Sequence, residues 1–490
     1  MSNKSEQPQW DSSLAFLMAM IGAAVGLGNI WRFSYVLYSN GGGAFFIPYF
    51  TAIIIMGVPF LILEYGIGFS FRKSFARILE HIKPKLEIVG WVLALLVFVV
   101  CCYYLVIVAW DLIYLVGSPF QVWGNNPGLF FSQSVGGGAE LGGLERVILP
   151  SVAGVAVMWF IIWFISHRSV ESGIGKASKM LIPLLFIIMA IIVAFSFTLP
   201  GHEIGLDVLL RPDWSSLTRV DIWISAFAQI IFSLSMGQAI AMTYASYLDK
   251  NARLNDYVLL VVASNSGFEI FTSFGVFSIL GFMAMNAGVP IEKLITEGTS
   301  LIFIVFPTIF DAMGGIGRVL GPLFFLAILF AGITSAVGYF EPLASSLADK
   351  FRISRKKATT ILCIVGFCIS LCFTSGIGSY LVSIVDGFVN EFGILLIIAI
   401  QCIIFGWIYG IDHLVDILNK NSMFKVGKAW IADIKYLLPI ALIIIWVWGI
   451  SSLLMKMEPL EAIVGVILVV GILAGGIFLT KYNKNIPMED

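Results

Sequence analysis

Apolar stretches long enough to cross a bilayer alternate along this chain with short polar links. A spanning helix needs ~20 mostly apolar residues. On that rule twelve segments are predicted, at about 12–38, 43–71, 88–117, 148–166, 175–198, 221–248, 256–283, 316–348, 358–374, 379–410, 434–455 and 459–481. The links alternate in charge. Those after even-numbered segments are rich in lysine and arginine, for example Arg72, Lys73, Arg77, Lys83 and Lys85, and later Lys350, Arg352, Arg355, Lys356 and Lys357. The other links carry few bases and are rich in Gly, Pro and Asn; the long ones fall at about 118–147, 199–220 and 284–315. Basic links stay in the cytoplasm, so both termini are expected there.

Two segments break their own pattern. GAAVGLGNIWR, from Gly22 to Arg32, has three glycines, an amide at Asn29 and a charge at Arg32 inside apolar sequence. Each glycine costs ~1 kcal/mol in a helix relative to alanine, and packing through small residues does not explain Asn29 and Arg32. An unwound point fits better. Freed backbone groups are tolerated in a membrane only when buried in protein or lining a cavity. AQIIFSLSMGQAI, from Ala228 to Ile240, repeats the feature five spans later, with Ser233, Ser235, Gly237 and Gln238 clustered at its middle. Broken helices at matching places point to inverted repeats with a binding site near the midplane. The expected fold is an all-α polytopic membrane protein of twelve helices in one transporter domain spanning 1–490. Its repeats cover about 12–198 and 221–410, with helices 11 and 12 at about 434–481.

Composition agrees and excludes other classes. Of 490 residues 59% are hydrophobic, too many for a soluble domain, and a net charge of −1 gives no footing for nucleic acid. All six cysteines fall in apolar segments, so no disulfide or metal cluster is expected. No cleavable signal peptide is evident. No nucleophile–base set and no nucleotide motif supports an enzyme.

The assembled motifs resemble the neurotransmitter:sodium symporter family, in its prokaryotic amino-acid transporter branch. They are GAAVGLGNIWRF, NGGGAFFIPY from Asn40, the Tyr103–Tyr104 pair, FSLSMG from Phe232, TYASY from Thr243, Asn265 with Glu269, and FAGITSA from Phe330. The resemblance covers nearly the whole chain. It implies a sodium-coupled symporter of a small neutral amino acid working by alternating access, with two sodium ions. It assigns the first sodium to the Ala24 carbonyl, Asn29, Ser233 and Asn265, completed by the substrate carboxylate; the family more often has threonine where Ser233 stands. The second goes to carbonyls of Gly22, Val25 and Ala331 with the hydroxyls of Thr334 and Ser335. Hard oxygen donors suit such a cation. The substrate carboxylate would meet the N–H groups of Leu27 and Gly28, at the positive end of a half-helix, and the Tyr104 hydroxyl. The amine would meet carbonyls of Ala24, Phe232 and Ser235. Monoamine members place an aspartate where this chain has Gly26, which favours an amino acid. Specificity would come from Ala23, Val100, Ser235, Gln238, Ser335, Ala336 and Tyr339. Buried Gln238 and Tyr339 need partners: each other, a polar substrate group or a water.

The resemblance also implies gates. Arg32 and Asp386 form the outer pair, with Tyr104 and Phe232 as a lid. Asp349 is the inner acid, near Trp10, Ser246 and Tyr247. Its usual basic partner falls at Gln7, leaving Lys4 as the nearest base or a neutral bond in its place. Glu269 stands where chloride-dependent members have a small hydroxyl residue. Its carboxylate would replace chloride, with Tyr49, Gln229 and Ser233 around it, and would permit proton counter-transport. Glu64 is read as structural, bonding freed backbone, while Asp111, Glu341 and Arg318 receive no role. A sensor of the same fold, binding an amino acid without concentrating it, is the alternative. A prokaryotic inner membrane is the expected location.

Overall fold

A computed structural model describes residues 9–138, 145–295 and 298–482. Among these, ten unbroken helices are long and apolar enough to cross a membrane. In the order of the predicted segments they are span 2 (Gly42–Phe71), span 3 (Pro84–Phe120), span 4 (Leu149–Ser166), span 5 (Glu171–Ser196), span 7 (Leu254–Ala287), span 8 (Gly317–Phe351), span 9 (Arg355–Thr374), span 10 (Gly378–Tyr409), span 11 (Lys428–Met455) and span 12 (Pro459–Lys481). The other two are broken. Span 1 is an inner half, Ser13–Ala24, followed by Leu27–Ile30 and Arg32–Ser39. Span 6 is an outer half, Val220–Ser233, and an inner half, Ile240–Ala245. The twelve segments are therefore present, with the interruptions where glycines and polar residues cluster.

Spans 3 and 8 run antiparallel through the centre. A Cβ on Gly332 would lie 2.7 Å from the Val108 side chain, and one on Gly321 would lie 3.3 Å from Ser118. Small residues let the backbones approach, as dispersion and close fit require where lipid supplies no hydrophobic drive. Trp159 of span 4 donates to the Ser370 hydroxyl at 2.9 Å, which donates to the Cys102 carbonyl at 2.8 Å, joining spans 3, 4 and 9. Spans 11 and 12 instead expose Ile440, Ile444, Val447, Ile463, Val466 and Val470. So extensive an apolar face is stable only against lipid or another apolar surface.

The long links hold more structure than their composition predicts. Helices His202–Leu210 and Phe306–Ala312 lie in two of them. Phe306 stacks on Phe324 of span 8 with ring centroids 4.3 Å apart, so packing overrides the turn-rich local sequence. The link after span 3 pairs with the turn between spans 9 and 10, where Ile148 donates to Thr374 at 2.9 Å and Ser379 to Gly136 at 2.7 Å.

Spans 3 and 8 are pinned at their inner ends by an ion pair, Lys350 Nζ to Glu87 Oε1 at 2.6 Å, both about 95% buried. Glu87 also accepts from Trp91 Nε1 at 2.9 Å. Removing one member of a buried pair costs ~3–5 kcal/mol because the other charge is left uncompensated. Lys350→Met should therefore lower the melting temperature in detergent clearly. The double variant Glu87→Gln/Lys350→Met should recover most of the loss, since no lone charge remains.

Candidate functional site

The two breaks face each other. The inner half of span 1 ends where Val25 N–H closes on Ile21 O at 2.7 Å. Gly26 is extended, and its N–H donates to Asn29 Oδ1 at 2.8 Å, so Asn29 holds the start of the outer half. Leu27 N–H points at the Tyr104 hydroxyl, 3.4 Å away. In span 6, Ser235, Gly237 and Ala239 all have positive φ, at 49°, 70° and 60°. Non-glycine residues there cost ~1–2 kcal/mol each and persist only when surroundings hold them. Three contacts do so. Ser235 Oγ donates to the Ala23 carbonyl at 3.2 Å, Gln401 Nε2 donates to the Gly237 carbonyl at 2.9 Å, and Gly237 N–H reaches Glu64 Oε2 at 3.5 Å. A side chain at Gly237 would also meet Ile398 at 2.1 Å. Glu64 thus bonds freed backbone of span 6.

The structure gathers the side chains that the resemblance assigns to the first sodium. Asn29 Nδ2 donates to Asn265 Oδ1 at 2.8 Å, and Asn265 Nδ2 donates to Ser233 Oγ at 2.5 Å. Asn29 Nδ2 also donates to Glu269 Oε1 at 3.0 Å. Glu269 is fully buried and accepts from Gln229 Nε2 at 3.2 Å and the Tyr49 hydroxyl at 2.6 Å. Its predicted neighbours are in place. The direct bond to Asn29 was not legible in the sequence, because no spacing rule relates residues 240 positions apart.

The second set also converges. Ser335 Oγ donates to the Gly22 carbonyl at 3.1 Å and the Val25 carbonyl at 3.3 Å. Thr334 Oγ1 lies 3.1 Å from the Ala331 carbonyl, and a Cβ on Gly22 would touch Thr334 at 2.9 Å. Carbonyls and hydroxyls from spans 1 and 8 thus share one point. Neutral oxygens of this kind fit a hard monovalent cation.

Between the two sets lie the residues read as lining the substrate pocket. Ala23, Ala24, Val100, Tyr104, Ser235, Gln238 and Tyr339 are all buried. Tyr104 and Tyr339 pack edge to face, centroids 5.3 Å apart. Gln238 Oε1 is buried with no hydrogen-bond partner. Above the pocket the Phe232 ring lies on the Gly28 backbone, where a Cβ would come within 2.2 Å of it. Arg32 sits over the same ring, 4.2 Å from its centroid. Asp386 accepts from the Tyr103 hydroxyl at 2.6 Å and from Asn390 Nδ2 at 2.9 Å. The sequence reading named neither Tyr103 nor Asn390 as part of the outer gate; Asn390 is one helical turn beyond Asp386, a spacing that could have shown it.

Known proteins share this architecture. The chain resembles the crystal structure of MhsT in complex with L-phenylalanine, with a TM-score of 0.76 and 28% identity, over 90% of this chain and 99% of that one. The sodium:neurotransmitter symporter family matches residues 7–127 and 147–462. The chain belongs to that family. It is 38% identical over 436 residues to an uncharacterized sodium-dependent transporter of Methanocaldococcus jannaschii, covering 88% of this chain and 87% of that one. It is 29% identical over 477 residues to a sodium-dependent dopamine transporter of Caenorhabditis elegans, covering 86% and 77%. It is a sodium-coupled transporter and a multi-pass membrane protein, not an enzyme.

At the inner end this symporter departs from the sequence reading. Trp10 Nε1 donates to the Tyr244 carbonyl at 2.8 Å, and Trp10 N–H to the Tyr247 carbonyl at 3.1 Å. Lys4 and Gln7 lie outside the described residues. Asp349 Oδ2 accepts from the Ser74 N–H at 2.9 Å, and it lines a small cavity with Ser246, Tyr247 and Arg355. Glu341, to which no role was given, is fully buried and takes both guanidinium arms of Arg355 and the Tyr247 hydroxyl at 2.9 Å. An acid inside a span is a functional candidate by default. Its partner, however, lies past a turn, where periodicity is silent. Just outside span 1, Lys179 bonds Asp11 at 2.6 Å and holds that carboxyl below its ordinary pKa. This tie between spans 1 and 5 is present at neutral pH and is lost as pH falls through the carboxylate range. Asp111 is buried with neither oxygen bonded, and its surroundings suggest no role.

Gly28→Ala should displace the Phe232 ring and cut sodium-dependent uptake at least about tenfold, since a ~1.4 kcal/mol penalty suffices for that. Melting temperature, read beside it, should change much less than uptake.

Proposed function

We propose that this chain concentrates a small neutral amino acid by symport with two sodium ions, without chloride, and returns with a proton on Glu269. The observation that carries the reading is the bond from Asn29 to Glu269. It puts a carboxylate against the oxygen cluster of the first sodium, where a counter-charge to the cation is needed. Asn29, Ser233 and Asn265 would hold that ion with the Ala24 carbonyl and the substrate carboxylate, so substrate and sodium each complete the other's site. Gly22, Val25, Ala331, Thr334 and Ser335 would hold the second ion. Because this set joins span 1 to span 8, its occupancy would hold the inner side closed.

The two oxygen sets argue for two ions, and the number sets how far a substrate can be concentrated. Each gains ~2.3 kcal/mol from ~100 mV and ~1.4 kcal/mol from a tenfold gradient. Two supply roughly 7 kcal/mol, sufficient for about 10⁵-fold accumulation of a neutral substrate, against several hundred-fold for one. The lysine- and arginine-rich links support cytoplasmic termini in the plasma (inner) membrane of a prokaryote. The absence of an acid at Gly26 supports an amino acid over a monoamine. The unbonded Gln238 carbonyl supports a substrate group that donates a hydrogen bond there.

The test is uptake of labelled neutral amino acids into proteoliposomes under an inward sodium gradient, with chloride present or replaced by gluconate. Sodium-driven, chloride-indifferent accumulation is expected; binding without accumulation would instead identify a sensor. Glu269→Ser should make uptake chloride-dependent, and continued indifference would count against the role of Glu269. Gln238→Phe should shift preference toward larger apolar side chains, with an unchanged preference removing Gln238 from the specificity set.

A further inference from the structure

Away from the central site, spans 2, 7 and 11 enclose a groove of about 940 Å³ that opens toward the lipid. Its walls are apolar, from residues such as Ile54, Val58, Leu259 and Ile440, but Lys425 and Asp433 also line it. Trp430 fixes one wall by donating to the Pro59 carbonyl at 3.0 Å.

Asp433 is the anomaly. Its Oδ1 is shut off from water and has no hydrogen-bond partner. It opens a π-type turn, Asp433–Leu437, a local widening that re-aims side chains and is common at functional positions. A carboxylate oxygen shut off from water is costly unless a donor meets it. Among the described residues no ion pair reaches Asp433, and two lysines near it in sequence are engaged elsewhere. Lys435 Nζ bonds Asp412 at 2.7 Å, and Lys425 Nζ bonds the Asn419 carbonyl. Lys425 has three donors, so it can still receive an anion at the mouth of the groove.

Depth narrows the choice of cation. Span 11 runs from Lys428 to Met455, 28 residues, or about 42 Å of helix. That exceeds the ~30 Å hydrocarbon core. Asp433, five residues from the start of the span, therefore lies at headgroup level on the lysine-rich side. There the groove presents, in one place, an apolar trough, a site for an anion and a site for a cation.

We propose that the groove holds one phospholipid with a primary-ammonium headgroup. An acyl chain fills the trough, the phosphate meets Lys425 and the ammonium donates to Asp433. A choline headgroup has no N–H to give the buried oxygen. A glycerol headgroup brings no cation and leaves the lipid phosphate beside a bare carboxylate.

Native mass spectrometry of the full chain tests this, after equilibration with equal amounts of phosphatidylethanolamine, phosphatidylcholine and phosphatidylglycerol. Wild type should retain one phosphatidylethanolamine with about tenfold preference over phosphatidylcholine, the scale of one charge-assisted hydrogen bond. Asp433→Asn should lose that preference, while Asp433→Glu, which keeps the charge, should retain it. Lys425→Gln should weaken retention of phosphatidylethanolamine and phosphatidylglycerol alike. Equal retention of the three lipids by wild type would overturn the proposal, as would undiminished selectivity in Asp433→Asn. A retained sterol or a second copy of the chain in place of the phospholipid would also overturn it. Should Asp433→Asn not fold, the comparison of Asp433→Glu and Lys425→Gln with wild type decides alone.

Discussion

A backbone group freed inside a membrane must find a partner in the protein, because lipid offers none. Two helices of this chain are opened at mid-membrane, and the surrounding spans meet that demand. Gly237 is held from both sides, its N–H toward Glu64 and its carbonyl by Gln401. The Gly22 and Val25 carbonyls are reached by Ser335, and the Ala23 carbonyl by Ser235. These hydroxyl bonds are exchangeable. A cation placed among the same carbonyls satisfies them as well as a hydroxyl proton does, and leaves the hydroxyl oxygens free to join it. The contacts that make the break tolerable are thus of a kind that can also receive an ion.

Charge is distributed with the same economy. The two oxygen sets are built from neutral groups, while Glu269 stands directly behind one of them, bonded to Asn29. Its other bonds come from Tyr49 and Gln229, both donors. An ionised carboxylate is acceptor-only, so every partner around Glu269 suits its charged form. Under the proposed coupling, the bond from Asn29 is the contact through which an ion at the first set would bear on the Glu269 carboxyl.

Much of this is legible in the sequence. Glycines crowded among apolar residues marked both breaks, since a continuous helix gains nothing from them. The alternation of basic links separated the spans. Composition misjudged the links themselves, because Phe306 and Phe310 form helix by packing on span 8 and not by local preference. Side-chain partners distant in sequence were the least visible. Trp10 with Tyr244, Ser74 with Asp349 and Asn29 with Glu269 obey no periodicity. Resemblance located such residues in a common site, but did not state which atoms meet.

The inner end shows why that last distinction matters. Asp349 resembles a gate acid, yet among the described residues its carboxylate meets the backbone of Ser74, next to the helix Phe75–Ile82. The heavier tie is Glu341, which joins Arg355 to Tyr247, while the backbone of Tyr247 holds Trp10. This chain of contacts runs from span 8 through the inner end of span 6 to the start of span 1. Trp10 and Tyr247 are 6% and 7% exposed and Glu341 is fully buried, so exposure does not single out the weak link; charge does. Separating Glu341 from Arg355 would leave a bare charge at a cost of several kcal/mol. The pair is therefore the costliest link to break, whereas the Trp10 bonds join neutral groups. Trp10 lies just ahead of the inner half of span 1, and that half ends at the Val25–Gly26 break, so these neutral bonds tie the inner end directly to the opened backbone of the candidate site.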